Sequence, residues 1–367
     1  MKTYLAILCA LSTLFVPTAP AQTAPPLKLV ATMPMPNLEG YLDHMSVDLK
    51  GQRLFVPGEY QQTLQIIDLR SGKVLRSITG FGGHPRTAIY LPTSNEIWVD
   101  DADGSCKVFS GDSYELIRTI ELTGLGKDPK KTPDNATYDS ASGLLYVAVT
   151  VASSASPETN GSIEIVDTRT SKYLGGIKLD GKTPAGIALD QGTARMFVVL
   201  ADTGQVEVID REKRSVTAKW PIIGGAVPHA AALDATHHRL FVGSRIQPGH
   251  LYKPGKFVVM DTETGNVIQS LDSEGGADEL EYDAASARIY FTGTTGAVDV
   301  FKQADPDHYQ LLGKVPTGAI AKTSLLVPEL KRFYVGVPKH VILTPPIPQS
   351  KEETVEDAKI LVFEVTP

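Results

Sequence analysis

Short runs in which an aromatic is flanked by apolar residues recur along the chain: Leu54-Phe55-Val56, Ile97-Trp98-Val99, Leu145-Tyr146-Val147, Met196-Phe197-Val198, Leu240-Phe241-Val242, Ile289-Tyr290-Phe291 and Phe333-Tyr334-Val335. Their central aromatics lie 43, 48, 51, 44, 49 and 44 residues apart. Runs of alternating type, such as Leu64-Gln65-Ile66-Ile67-Asp68, Ile163-Glu164-Ile165-Val166-Asp167, Val206-Glu207-Val208-Ile209-Asp210 and Phe257-Val258-Val259-Met260-Asp261, supply a following strand. A tight turn and an outer strand come next, as at Val74 to Ile78, Leu116 to Ile120 and Val267 to Leu271. A period of about 45 residues filled with four short strands predicts an all-β fold, a seven-bladed β-propeller of four-stranded blades.

The turn between the first two strands of a blade usually opens with Asp and often closes with Arg, as in Asp48 to Arg53, Asp190 to Arg195, Asp234 to Arg239 and Asp283 to Arg288. Where Asp is missing, at Leu91 and Val327, a proline follows that presets the dihedral a type I turn needs. Residues that recur in every blade belong to the scaffold. Lys359 to Phe363 reads as the third strand of the last blade, with no fourth strand after it, whereas Leu27 to Thr32 reads as an outer strand without a blade of its own. The N-terminal strand is therefore expected to complete the last blade and close the ring.

With Gly 32, Pro 25, 42% apolar residues and no Gly/Ser linker, charge block or low-complexity tract, residues 22–367 read as one propeller domain. Met1-Lys2, an apolar run from Tyr4 to Val16, and Ala19-Pro20-Ala21 read as a signal peptide over residues 1–21, and hence as export to the periplasm or the medium. No segment is long and apolar enough for a transmembrane helix. Cys9 falls in the signal segment, so Cys106 would be the one mature cysteine, in a strand where burial is expected. The net charge of −7 is spread without a basic stripe, which argues against nucleic acid as a partner. A monomer is expected.

In a propeller, the loops entering each innermost strand share a face with those joining second and third strands. Three of the latter are long, at Val151 to Gly161, Ser244 to Lys256 and Pro338 to Asp357, which puts the site on that face. Just ahead of the innermost strands stand Asp43-His44, Arg86-Thr87, Asp134-Asn135, Ala185-Gly186, His229-Ala230, Asp278-Glu279 and Lys322-Thr323, polar and different from blade to blade. One reading is a divalent cation (Ca, Mg, Mn or Zn) held by His44, Asp43, Asp134, Asn135, Asp278 and Glu279. A second has His229 as general base with Arg86 or Lys322 binding an anion. A third is a network of polar groups that hydrogen-bonds channel water and itself. His84, His250 and Tyr252 are candidates for the wall of a ligand site, with His340 in a further loop; His237, His238 and His308 fall in turns of the opposite face. Haem, nucleotide and serine-hydrolase motifs are missing.

Leu145-Tyr146-Val147-Ala148-Val149, Phe333-Tyr334-Val335-Gly336-Val337 and the strand ends Ile67-Asp68, Val166-Asp167 and Ile209-Asp210 resemble the repeats of the YVTN-type, YncE-like secreted β-propellers, over nearly the whole mature chain. That resemblance implies fold and export. Val227-Pro228-His229 looks like part of a streptogramin-type lyase motif, without the Glu-x-His element such enzymes carry later. Glu279, Asn135, Asp43 and Asp134 match the residue types with which gluconolactonase-type propellers hold a cation. The expectation is an exported propeller binding a small polar or anionic ligand at its channel face, with a metal and lactonase- or lyase-type activity as extensions. The alternative is a scaffold whose long loops grip an envelope protein.

Overall fold

A computed structural model describes residues 25–122, 131–152, 154–156, 159–225, 227–245, 254–339 and 357–366. Its strands, numbered in chain order, form seven four-stranded antiparallel sheets. The first blade holds β2 (Ser46–Asp48), β3 (Arg53–Gly58), β4 (Thr63–Asp68) and β5 (Val74–Ile78), and the next five, β6 to β25, repeat this order. The seventh joins β26 (Ser324–Val327), β27 (Arg332–Val337) and β28 (Lys359–Val365) to β1 (Leu27–Pro34) from the other end of the chain. Leu27 pairs with Val365 and Pro34 with Lys359, which closes the ring as the sequence predicts.

Every second strand is apolar at successive positions because both of its faces are covered. Leu54 and Val56 point to the seventh blade, and Phe55 to the second. Phe197 and Val199 face the fifth blade, and Met196, Val198 and Leu200 the third. The apolar interior is thus divided into seven slabs, one between each pair of neighbouring blades. Rings lock some of them, as with Phe257 on Phe301 (centroids 4.6 Å apart) and Tyr290 on Phe333 (5.0 Å). Cys106 is fully buried, as expected.

The repeated Asp acts on its own turn. Asp48 accepts the Gly51 N–H (2.9 Å) and the Arg53 guanidinium (2.5 Å), and Asp190 accepts Gly192 N–H (3.0 Å) and Arg195 (3.3 Å). Arg239 departs from this form and pairs with Asp261 and Asp307. Among the described residues no helix is long and apolar enough to cross a membrane. The segment read as an export signal lies outside the described residues.

Candidate functional site

The channel face gathers the non-repeating residues into one network of ion pairs. Apart from Glu59 and Arg245, each sits ahead of, or in the first half of, an innermost strand, so blade geometry aims it at the axis. Arg86 donates to Glu59 (2.7 Å) and Asp43 (3.3 Å) and lies 4.0 Å from Asp134. Lys322 bridges Glu59 (3.2 Å) and Asp278 (2.7 Å). Asp278 also accepts Arg245 (2.8 Å) and lies 3.2 Å from His229 Nε2. His44 is held between Asp43 (3.3 Å) and the Glu279 carboxylate, with which its Nδ1 makes a short hydrogen bond.

Electrostatics fix the protonation states. Burial by itself would drive the proton off His44, but the Glu279 and Asp43 charges overcome it and raise the pKa to about 10, so the imidazolium persists at neutral pH. His229 goes the other way: burial, reinforced by the Arg245 charge and opposed by Asp278, lowers it to about 3. Burial opposes the charge on Asp278, yet Lys322, His229 and Arg245 hold it far below the usual carboxylate range. Neutral His229 keeps its Nε2 3.2 Å from the Asp278 carboxylate, while its buried Nδ1 has no hydrogen-bond partner among the described residues.

Below the ring the channel widens into a cavity of about 310 Å³, bordered by His44, Thr87, Asn135, Asp278, Glu279 and Glu281. Gly186 stands at the blade-four position because the backbone of Ala231 comes so close that a Cβ would lie 2.5 Å from its nitrogen. Glu281 accepts the Leu326 N–H (3.2 Å), and burial together with the Glu279 charge pushes its pKa up to about 8.

A carboxyl whose folded pKa exceeds its unfolded value of 4.5 contributes stability that is intact below pH 4.5 and lost as the pH climbs to about 8. His44 has the same sign and loses its contribution between pH 6.5 and about 10. Glu281→Gln removes only the first of these. The variant is expected to match the parent melting temperature at pH 4.5 and to exceed it at pH 8.5, read by calorimetry; an offset independent of pH would show that Glu281 does not titrate in that window.

The structure brings Asp43, His44, Arg86, Asp134, His229, Asp278, Glu279 and Lys322 together as the sequence predicts, and Asn135 borders the cavity beneath them. His84 stands one step outside, its Nδ1 2.8 Å from the Glu59 carbonyl. His250, Tyr252 and His340 lie outside the described residues, as do most of the residues of the long loops that hold them. The cation reading meets carboxylates that are already paired. Asp43, Glu59, Asp278 and Glu279 already pair with Arg86, Lys322, Arg245 and a protonated His44, and among the described residues no three His, Cys, Asp or Glu side chains converge as a metal would require. The sequence reading missed Glu59, which follows the second strand of the first blade, Arg245, which ends that of the fifth, and Tyr41 and Tyr60 beside Glu59. For Glu59, Tyr60 and Arg245 the signal was a charged or aromatic residue at the end of an apolar second strand, whereas Tyr41 lies ahead of an innermost strand.

No family model matches the chain. It is 25% identical over 212 residues to a protein described as "Uncharacterized protein YncE" from Salmonella typhimurium, covering 56% of this chain and 53% of that protein. The protein of the same description from Salmonella typhi matches at 25% over 212 residues. The chain spans about half the length of the curated relatives it matches. Among solved structures, a chain of Kuenenia stuttgartiensis hydrazine synthase superposes with a TM-score of 0.66 at 16% identity, covering 88% of this chain and 95% of that one. A chain of the mitotic checkpoint complex gives 0.70 at 12% identity, covering 99% of this chain and 100% of the other. U3-55K gives 0.70 at 10%, covering 91% and 98%. This is a seven-bladed β-propeller, similar over part of its length to YncE. The structural neighbours share its fold alone, and the likeness to YncE carries no activity with it.

Proposed function

We propose that this is an exported propeller whose channel face binds a small polar molecule rich in hydroxyl or amine groups. One observation carries the reading: six blades each contribute a different charged side chain to a single network at the channel mouth, above a cavity of about 310 Å³. A scaffold needs no such variety, since its turn residues repeat, and a cavity of this volume falls within the range of ligand sites. The network offers fixed donors (Arg86, Lys322, Arg245) beside fixed acceptors (Asp43, Glu59, Asp134), an arrangement suited to hydroxyl groups that both give and take hydrogen bonds.

Charge bears on the ligand class. Asp43, Glu59, Asp134, Asp278 and Glu279 face Arg86, Lys322, Arg245 and protonated His44, so the cations are already neutralised and give an added anion no advantage over a neutral guest. Lactone hydrolysis or elimination with His229 as base has little support, because a base whose pKa lies near 3 takes up few protons at neutral pH. A thermal-shift screen of polyols, saccharides and amines against residues 22–367 tests the reading. Hits are expected to bind roughly tenfold more weakly to Asp134→Ala and Asn135→Leu, which alter the ring and the cavity wall. Hits that bind both variants unchanged would place the site elsewhere. Detection of the processed chain in a periplasmic or secreted fraction, beginning near Gln22, tests export.

A further inference from the structure

Beside the ring, on the same face, Tyr60 exposes 59% of its surface. It is not a loose side chain. Its ring lies 5.4 Å from that of Tyr41 and 6.0 Å, edge-on, from the imidazole of His84. Beneath it is Gly40, in the left-handed region at φ +77°, where a Cβ would sit 2.2 Å from Tyr60 Cδ2. Glycine therefore serves two needs here, a backbone conformation other residues resist and a bare surface on which the tyrosine ring rests.

The backbone ties this shelf to the ring. Glu59 N–H donates to the Tyr41 carbonyl (3.1 Å), Gln62 N–H to the Glu59 carbonyl (3.1 Å), and His84 Nδ1 to that same carbonyl (2.8 Å). The Glu59 carboxylate joins Arg86 and Lys322, and the Lys322 ammonium lies 5.1 Å from the centre of the Tyr41 ring. An exposed, immobilised aromatic face thus borders directly on fixed hydrogen-bonding groups, of which Arg86 and Asp134 are among the more accessible, at 25% and 27%.

We infer that the channel face recognises a neutral pyranose, its C–H face stacked on Tyr60 and its hydroxyl groups turned to Arg86, Asp134 and the free Nε2 of His84. This rests on the ring-face reading and narrows it to one ligand class. The electron-rich face of a tyrosine ring attracts the weakly positive C–H bonds that line one side of a pyranose. The opposite character of the sugar, donors and acceptors around its rim, matches a network in which both are held in place. A uronate would add a negative charge beside carboxylates that already match the cations, so a neutral sugar is favoured over an acidic one.

The test uses saturation-transfer NMR and calorimetry on residues 22–367 with cellobiose, chitobiose, digalacturonate and open-chain sorbitol. Cellobiose or chitobiose is expected to bind, Tyr60→Ala to weaken it about tenfold or more, and Tyr60→Phe to retain it. Gly40→Ala, which displaces the ring without deleting it, is expected to weaken binding as Tyr60→Ala does, and melting temperatures establish that each variant folds. If sorbitol binds as well as the pyranosides and Tyr60→Ala changes nothing, the saccharide inference fails while the ring-face reading stands. If digalacturonate binds best, neutral-sugar recognition fails. If no saccharide binds and a wider screen yields a ring ligand of another class, only the inference falls; if that screen also yields none, both fall.

Discussion

Lys322→Met is expected to cost about 3–5 kcal/mol of stability, among the largest losses any single side chain of this protein would produce. The lysine is the hub between two carboxylates that hardly touch water: its side chain is 13% exposed, against 8% for Glu59 and 9% for Asp278. Burial opposes its charge, but Asp278, Glu59 and Asp43 together hold its pKa well above the ordinary value. Methionine keeps most of the packing and removes the charge, which leaves Glu59 with Arg86 alone and Asp278 with Arg245 and a neutral His229. Urea unfolding measures the loss. Adding Glu59→Gln to the variant is expected to recover part of it, because one uncompensated charge disappears. A loss below about 1 kcal/mol, typical of exposed pairs, would mean that solvent screens this ring far more than its burial implies.

Deletion of residues 25–34 is expected to abolish cooperative folding. Strand β1 pairs with β28 along its length, and its Leu27 and Met33, 2% and 4% exposed, fill the slabs on either side of the seventh blade. Burial of two such side chains contributes roughly 1.5–3 kcal/mol each, and their loss also bares the edge of β28 to other chains. The same contacts predict a rescue. Leu27 pairs with Val365 and Thr366 bonds back to Pro25 (2.7 Å) and Pro26 (3.3 Å), so β28 and β1 already meet as the arms of a hairpin. A permuted chain that begins at Met35 and carries residues 25–34 after Thr366 through a short loop is expected to fold and to melt near the parent temperature. Circular dichroism melts and size-exclusion profiles of the two chains decide the matter. A cooperative, monomeric truncated chain would show that the seventh blade is stable with three strands.

The fold was legible because a propeller writes its period into the chain. Phe55, Trp98, Tyr146, Phe197, Phe241, Tyr290 and Tyr334 must each be apolar on both sides of a central strand, and neither blade face can be left bare, so the pattern survives in every repeat. The positions that face the channel were legible for the complementary reason, as a register that does not repeat. Their chemical roles were not. His44 and His229 read alike in sequence, as imidazoles entering innermost strands, yet one is held protonated and the other neutral. The difference lies in Glu279, 235 residues from His44, and in Arg245, whose cation reaches Asp278 from a different blade. Likewise Glu59 looked like a loop residue until Arg86 and Lys322 converged on it from the second and seventh blades. Strand pattern, blade number and ring closure follow from side chains near in sequence, through hydrophobic periodicity and turn chemistry. Charge state and pairing at the axis depend on distances between blades and on how far each group is removed from water, and those exist only once the ring has closed.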